Sequence, residues 1–342
     1  MRTTRLGGST VRVSELALGC AGIGNLYHPV TDAAALATVE AAWDAGIRTF
    51  DTAPHYGLGL SERRLGAALR GRPRGTYTVS TKVGRLLVPN KDDGHGDDLA
   101  NGFAVPASHR RVWDFSADGV LRSLEASLDR LGLDRIDVAL LHDPDDHAEQ
   151  ALREAYPALE RLRTEGVVGA IGVGMNQSAL PARFLRETDI DVVLLAGRYT
   201  LLEQEGLAQL LPEAAARGRS VVIGGVFNSG LLTAPRPGAT YDYAPAPQPV
   251  LDRALRLLAV TERHGLPLRA AALRFPFGHP AVASVLTGAR SAEEVRDTVE
   301  QLRRPIPDAV WDDLRAEGLL APDTPVPASA PIAEATSPEE PS

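Results

Sequence analysis

The sequence predicts an α/β fold, a (β/α)8 TIM barrel, and three observations carry the prediction. Eight short apolar, β-branched runs bounded by Gly, Asp or Pro recur along the chain. Longer segments with the helical spacing of apolar residues lie between them. Strand then helix, repeated, is the signature of βα units around a parallel sheet, and 342 residues suit one such barrel without a second domain.

Taken in order, strands are expected near 15–19, 49–51, 78–82, 137–141, 170–173, 192–195, 221–224 and 284–286. Helices are expected over 32–45, 61–69, 117–131, 149–165, 205–216, 249–264 and 292–303. Thr31-Asp32 supplies a start signal for the first, while Gly46 and Gly166 follow the ends of the first and fourth. Ahead of the first strand, 4–6 and 11–13 flank Gly7-Gly8-Ser9, which predicts a β-hairpin closing the barrel bottom. Two long loops interrupt the repeat. Residues 86–114, after strand three, are rich in Gly, Pro and Asp and are expected to form a lid or binding loop, and 234–248 form a Pro/Tyr-rich loop after strand seven. Residues 1–320 are read as one domain. Residues 321–342, rich in Pro, Ala, Ser and Glu without periodicity, are expected to be disordered and without function.

Composition narrows the function. Lys and Arg number 36 against 44 Asp and Glu, and the net charge of −8 argues against nucleic acid as a partner. Cys20 is the single cysteine, so an intramolecular disulfide and a cysteine metal cluster are excluded, which suits a reducing cytoplasm. It closes an apolar run, where a small buried thiol is the reading preferred over a nucleophile. No apolar segment follows Met1 and no run of about 18 apolar residues occurs, so neither secretion nor membrane insertion is expected. A small-molecule ligand is the partner expected, with the oligomeric state left open.

In a barrel of this kind the chemistry sits at the C-terminal strand ends. Asp51 ends strand two, Lys82 strand three and His142 strand four, and Asn176 follows strand five. Strand six runs into Gly197-Arg198-Tyr199, strand seven into Phe227-Asn228-Ser229-Gly230 and strand eight into Gly288-Ala289-Arg290. Tyr56 stands five residues after Asp51 in the loop Asp51-Thr52-Ala53-Pro54-His55-Tyr56-Gly57. Singly, Lys82 reads equally as a structural partner for a carboxylate, and His142 as a hydrogen-bonded core histidine. Together they fit proton transfer through a tyrosine. A phenol with a pKa of about 10 needs a cation to stabilise its anion, which Lys82 supplies and Asp51 holds in place. His142 then orients or polarises a carbonyl or hydroxyl beside Tyr56. From a different class, His142-Asp143-Pro144-Asp145-Asp146-His147 offers ligands for a metal-dependent lyase or hydrolase, but no other strand end supplies a further histidine, and no metal is expected. A cofactor-bound regulatory subunit with little turnover would keep the same residues.

These stretches resemble the aldo-keto reductases, from about residue 6 to about residue 314. The matching motifs are the Asp51-to-Gly57 loop with Ser61-Glu62 and Leu65-Gly66, then Thr81-Lys82-Val83-Gly84, Leu140-Leu141-His142 and Ile171-Gly172-Val173-Gly174-Met175-Asn176. The resemblance implies a catalytic tetrad of Asp51, Tyr56, Lys82 and His142, with Tyr56 the general acid in reduction and the general base in oxidation. It implies NAD or NADP held without a Rossmann domain, and the chain has no convincing Gly-x-Gly-x-x-Gly opening a helix. By the same resemblance the cofactor-binding residues are Asp51, Asn176 on the nicotinamide amide, Tyr199 stacked on its ring, Phe227, Asn228, Ser229 and Gly230 at the pyrophosphate, and Gly288, Arg290, Glu294 and Thr298 around the adenosine phosphate. Two positions depart from the family pattern: Ala196-Gly197-Arg198 lacks its glutamine, and Thr298 stands where asparagine is common. Arg290 could pair with a 2′-phosphate, but Glu293 and Glu294 beside it leave the choice between NAD and NADP open.

Within the family the chain is similar to the sugar-oxidising branch of L-fucose, D-threo-aldose and L-galactose dehydrogenases, with pyridoxal 4-dehydrogenase a near relation. That implies oxidation of an aldose hemiacetal at C1 to a lactone, with a broad-range aldehyde or ketone reductase, or a pyridoxal 4-dehydrogenase, as the alternative. His55, Tyr56, Trp113 and His142 are the candidate substrate contacts, Trp113 serving either as a stacking face for a sugar or as a loop anchor.

Overall fold

The computed structural model describes residues 1–90, 96–242 and 244–328. All eight expected strands form: β1 (Leu16–Gly19), β2 (Thr49–Asp51), β3 (Thr78–Val83), β4 (Ile136–His142), β5 (Val168–Met175), β6 (Val192–Ala196), β7 (Ser220–Gly224) and β8 (Val282–Gly288). They close in chain order into one parallel barrel, with β8 pairing back to β1. Strand alternation sorts the side chains. Val138 and Leu140 of β4, Ala170 of β5, Val192 and Leu194 of β6 and Leu286 of β8 fill the barrel, while Phe50, Val79, Leu141, Val173 and Leu195 belong to the cluster shared with the helices.

The helices are α1 (Asp32–Asp44), α2 (Leu60–Leu69), α3 (Ala117–Leu131), α4 (Tyr156–Thr164), α5 (Ala179–Glu187), α6 (Leu210–Ala216), α7 (Gln248–Arg263), α8 (Leu268–Arg274), α9 (Ala292–Arg303) and α10 (Asp308–Ala316). Thr31 caps α1 by accepting from the Ala34 N–H. The expected helix 149–165 is interrupted by a π-turn over Ala151–Ala155, and 205–216 splits into a short 3-10 turn and α6. α5, α8 and α10 were not expected. α5 carries Pro181 in its first turn, where the missing N–H costs nothing, and α8 is buried on nearly every side and so lacks an amphipathic period.

The expected loop 86–114 is instead β structure. Arg85–Pro89 pairs antiparallel with His109–Trp113, and Asp97–Asp98 with Phe103–Pro106; residues 91–95 lie outside the described residues. Gly84, at φ 102°, makes the turn from β3 into this ladder, and a Cβ there would sit 2.2 Å from Phe115, so the turn requires glycine. Within 234–248 a small hairpin pairs Thr240–Tyr241 with Ala244–Pro245.

At the barrel bottom Thr3–Arg5 pairs with Arg12–Ser14 as expected. Leu6 and Val13 join the barrel interior, and the Gly7 N–H donates to Ser220 Oγ at 2.8 Å. Disorder was expected from 321, yet 321–328 dock on the barrel. Thr324 is buried, its carbonyl accepts from Arg315 at 3.0 Å, and Val326 packs beside Gly278 just ahead of β8. The rest of that expectation, 329–342, lies outside the described residues. Met1, beside Gly46, leaves on the same side. Among the described residues no helix is long and apolar enough to cross a membrane.

Candidate active site

β2, β3 and β4 end side by side, with Asp51 opposite Ser80 and Lys82 opposite Leu140 in the ladder. Alternation then turns Lys82 and His142 inward with Ser80 and Leu140. Lys82 Nζ donates to Asp51 Oδ2 at 2.7 Å and to the Thr52 carbonyl at 3.0 Å, and Ser80 Oγ donates to Asp51 Oδ1 at 2.9 Å. The pair is buried, Lys82 2% and Asp51 3% exposed. Burial works against the ammonium, but Asp51 and Tyr56 outweigh it and hold Lys82 above its ordinary pKa, so it stays charged. Behind the strand, Thr81 Oγ1 and Arg130 Nε both donate to the fully buried Glu62 and brace β3 against α2 and α3.

Tyr56 sits on the loop after β2. Gly57, at φ 60°, would carry a Cβ 2.2 Å from the Gly24 carbonyl oxygen, so glycine lets this loop press onto the turn after β1. Lys82 Nζ lies 4.7 Å from the Tyr56 ring centroid, and the His142 ring stands perpendicular to it at 6.0 Å. Burial pushes the Tyr56 pKa up to about 12, with Lys82 opposing and Asp51 adding to the rise. Lys82 therefore moderates the phenol without bringing it below its usual value, and near neutrality Tyr56 is a protonated donor. Burial, then Arg85 and Lys82, hold His142 well below its usual pKa, so it acts as a neutral imidazole. Its Nε2 lies 3.6 Å from Asp143 Oδ2, and its Nδ1 has no hydrogen-bond partner among the described residues. Cys20 is buried and its thiol is pushed up by burial, which removes it as a nucleophile.

His55 meets His142 edge-on at 5.7 Å and Phe103 at 5.1 Å. Its Nδ1 accepts from Arg111 Nε and its carbonyl from the same guanidinium at 2.9 Å; Arg111 in turn is paired with Asp98 at 2.6 Å. Burial, then Arg85 and Arg111, drive its pKa down to about 2. Its Nδ1 is thus spent on anchoring the insertion. Trp113 is 43% exposed, but the Arg85 guanidinium covers one of its faces at 4.3 Å, with His147 and Phe115 as ring neighbours. A cavity of about 410 Å³ opens here, lined by Arg85, Trp113, Asp143, Asp145, His147 and Asn176, among others. His142 and His147 serve different neighbours, and no group of three or more His, Cys, Asp or Glu residues among those described is placed to hold a metal.

Asn176, at the edge of that cavity, is exposed, and so are Ser229, Gly230, Gly288 and Arg290 on the other side of the mouth. A Cβ at Gly230 would meet only Thr233 Oγ1 at 3.8 Å, and one at Gly288 only the Gly19 carbonyl oxygen at 3.9 Å, so this arc is open to an extended ligand. Asn228, Ser229 and Gly230 are all left-handed, at φ 46°, 56° and 91°, a concentration of unusual backbone of the kind found at ligand turns. The Asn228 side chain faces inward, accepting from Thr200 Oγ1 at 2.7 Å and donating to the Gly197 carbonyl, so it shapes the turn. Phe227 is half-buried against the core. Glu294 accepts from the Arg290 N–H at 2.8 Å and from its guanidinium at 3.2 Å.

Two expected cofactor contacts are corrected. Tyr199 is wholly buried between Phe275, at 5.2 Å, and His279; beyond the left-handed Gly197 the chain carries it into the core behind the barrel wall, where it cannot stack on a ligand at the mouth. Thr298 lies on the buried face of α9 and donates to the Glu294 carbonyl of its own helix. Asp51 stays at the base of the site, its carboxylate accepting from Lys82 at 2.7 Å and from Ser80 at 2.9 Å, which uses two of about four lone-pair sites. Arg85, Arg111 and Phe103 were not foreseen, and Asp143 was read only within the metal alternative; the signal for two of the four was position, Asp143 directly after His142 and Arg85 three residues after Lys82.

A model of the aldo/keto reductase family matches residues 15–317. The chain is 46% identical over 314 residues to D-threo-aldose 1-dehydrogenase of a Pseudomonas species, covering 91% of this chain and 95% of that one. It is 42% identical over 334 residues to pyridoxal 4-dehydrogenase of Microbacterium luteolum, covering 92% and 97%. Among solved structures it is similar to the holo form of aldo-keto reductase AKR11C1 from Bacillus halodurans, with a TM-score of 0.72 at 27% identity over 92% of this chain and 96% of that one.

Proposed function

The chain belongs to the aldo/keto reductase family, a nicotinamide-dependent oxidoreductase family, and from that premise we propose that it oxidises the C1 hemiacetal of a small aldose to a lactone with Tyr56 as the proton carrier. The observation that carries this reading is the buried Asp51–Lys82 pair set under Tyr56 with neutral His142 across from it. The open arc at Gly230 and Gly288 fits a dinucleotide, which Asn176, the turn at Phe227, Asn228, Ser229 and Gly230, Gly288, and the Arg290–Glu294 pair would hold. When bound, a nicotinamide ring supplies the hydride chemistry. The protein's own part is the proton. His142 donates a hydrogen bond to the substrate oxygen, and Tyr56 takes the C1 hydroxyl proton in oxidation or returns it in reduction, with Lys82 beside it limiting the cost of the anion. The buried thiol of Cys20 suits work in the cytoplasm.

Following reduced-nicotinamide absorbance with L-fucose, L-galactose, D-arabinose and pyridoxal, each with NAD and with NADP, is the direct test. Turnover of at least one aldose is expected. Turnover of pyridoxal alone would favour the second reading, a pyridoxal dehydrogenase, which the 42% identical relative supports. Inertness toward all four would sink both.

A further inference from the structure

Arg85 starts the insertion ladder and Asp143 follows His142, yet the two meet across the mouth, where the Arg85 guanidinium donates to Asp143 Oδ2. Several features mark this pair as more than a brace. Asp143 holds φ 43°, uncommon for a residue with a Cβ, and is pinned there by its N–H bond to the Gly174 carbonyl at 3.0 Å. Arg85 lies over the Trp113 ring, which fixes its guanidinium, and its buried Nε has no hydrogen-bond partner among the described residues. Both line the 410 Å³ cavity. Their mutual bond uses one of five guanidinium N–H groups and one of about four carboxylate lone-pair sites. A donor and an acceptor locked side by side match a hydroxyl, which accepts from one and donates to the other.

Position says which hydroxyl. Asp143 Oδ2 is 3.6 Å from His142 Nε2, so a group held there sits about one carbon from an oxygen held by the imidazole. Asp145 and Asp146 join Asp143 on the same cavity wall, three carboxylates against one guanidinium, which disfavours phosphate or carboxylate substituents. We propose that Arg85 and Asp143 are the specificity-determining pair of the site, binding the hydroxyl on the carbon next to the reacting carbon of an uncharged α-hydroxy carbonyl compound or its hemiacetal. This rests on the oxidoreductase reading of the same mouth.

The test compares lactaldehyde with propanal, which differ only in that hydroxyl, as kcat/KM in the reductive direction. The unaltered enzyme is expected to prefer lactaldehyde by about ten- to a hundredfold, the value of one charge-assisted hydrogen bond. Asp143→Gly, which tolerates the left-handed backbone, should bring the ratio to within about threefold of unity, and Arg85→Gln should lower it in the same direction. Because the readout is a ratio, a general loss of rate cancels, and Arg85→Gln serves if Asp143→Gly does not fold. No preference in the unaltered enzyme, or a ratio unmoved in the variants, overturns the proposal. If aldoses are oxidised and the ratio is unmoved, this pair fails alone; if aldoses are inert but the ratio falls, the sugar reading fails alone. An enzyme inert toward both aldehydes overturns the pair as well.

Discussion

Tyr56→Phe removes one hydroxyl and leaves Lys82 with two of its partners, Asp51 and the Thr52 carbonyl. Turnover should fall by about 10²- to 10⁴-fold while cofactor affinity, read by fluorescence titration, changes by less than about twofold. Lys82→Met behaves differently, because it strands a buried carboxylate. It should destabilise the fold by about 3–5 kcal/mol in urea unfolding, and adding Asp51→Asn should restore part of that loss. The raised Tyr56 pKa, about 12, sets the direction of the pH response. Oxidation needs the phenolate, so its kcat/KM should rise close to tenfold per pH unit over about pH 6 to 9, while reduction, which needs the phenol, stays level. The same shift favours the fold below about pH 10 and is lost toward about pH 12, since the unfolded phenol ionises first. A level oxidative profile would contradict Tyr56 as the base. At this scale the meeting of Asp51, Tyr56, Lys82 and His142 at one mouth was legible because strand ends and their spacing stand in the sequence. Tyr199 and Thr298 were misplaced because the direction of a side chain beyond a left-handed turn, or around a helix, depends on packing that the sequence does not display.

Among the elements, the insertion differs most from its reading. Its paired segments are separated by long stretches and carry partly exposed side chains on both faces, so no alternation betrayed the strands. The barrel strands were legible because each is a short apolar run between turn residues, whereas α8, apolar on nearly every side, gave no period. Docked as it is, the insertion is held to the loop that carries Tyr56 by Arg111, which joins Asp98 to His55, and by Phe103 packed near Leu58. Arg111→Leu should leave Asp98 without its cation and loosen the ladder. Faster hydrogen exchange over 97–113 is expected, with KM raised more than kcat is lowered; unchanged exchange would show that the apolar contacts suffice.

Across the whole molecule, the barrel's two ends differ: the mouth carries the chemistry, while the bottom holds ion pairs that serve the fold alone. At the bottom Arg163 pairs with buried Asp191 at 2.9 Å and with Asp189, while Asp191 also accepts from the Ile171 N–H. Arg163→Leu should cost about 2–3 kcal/mol, less than a fully buried pair because the arginine is partly exposed, and lower Tm by several degrees with kcat unaltered. The docked 321–328 segment belongs to the same end: Val326 beside Gly278 and Met1 beside Gly46 both lie at the floor of the barrel. Attachment chemistry gains from this arrangement. An affinity handle, a fused partner or a solid support joined at Met1 would stand off from the floor, leaving the mouth facing bulk solution for immobilised use.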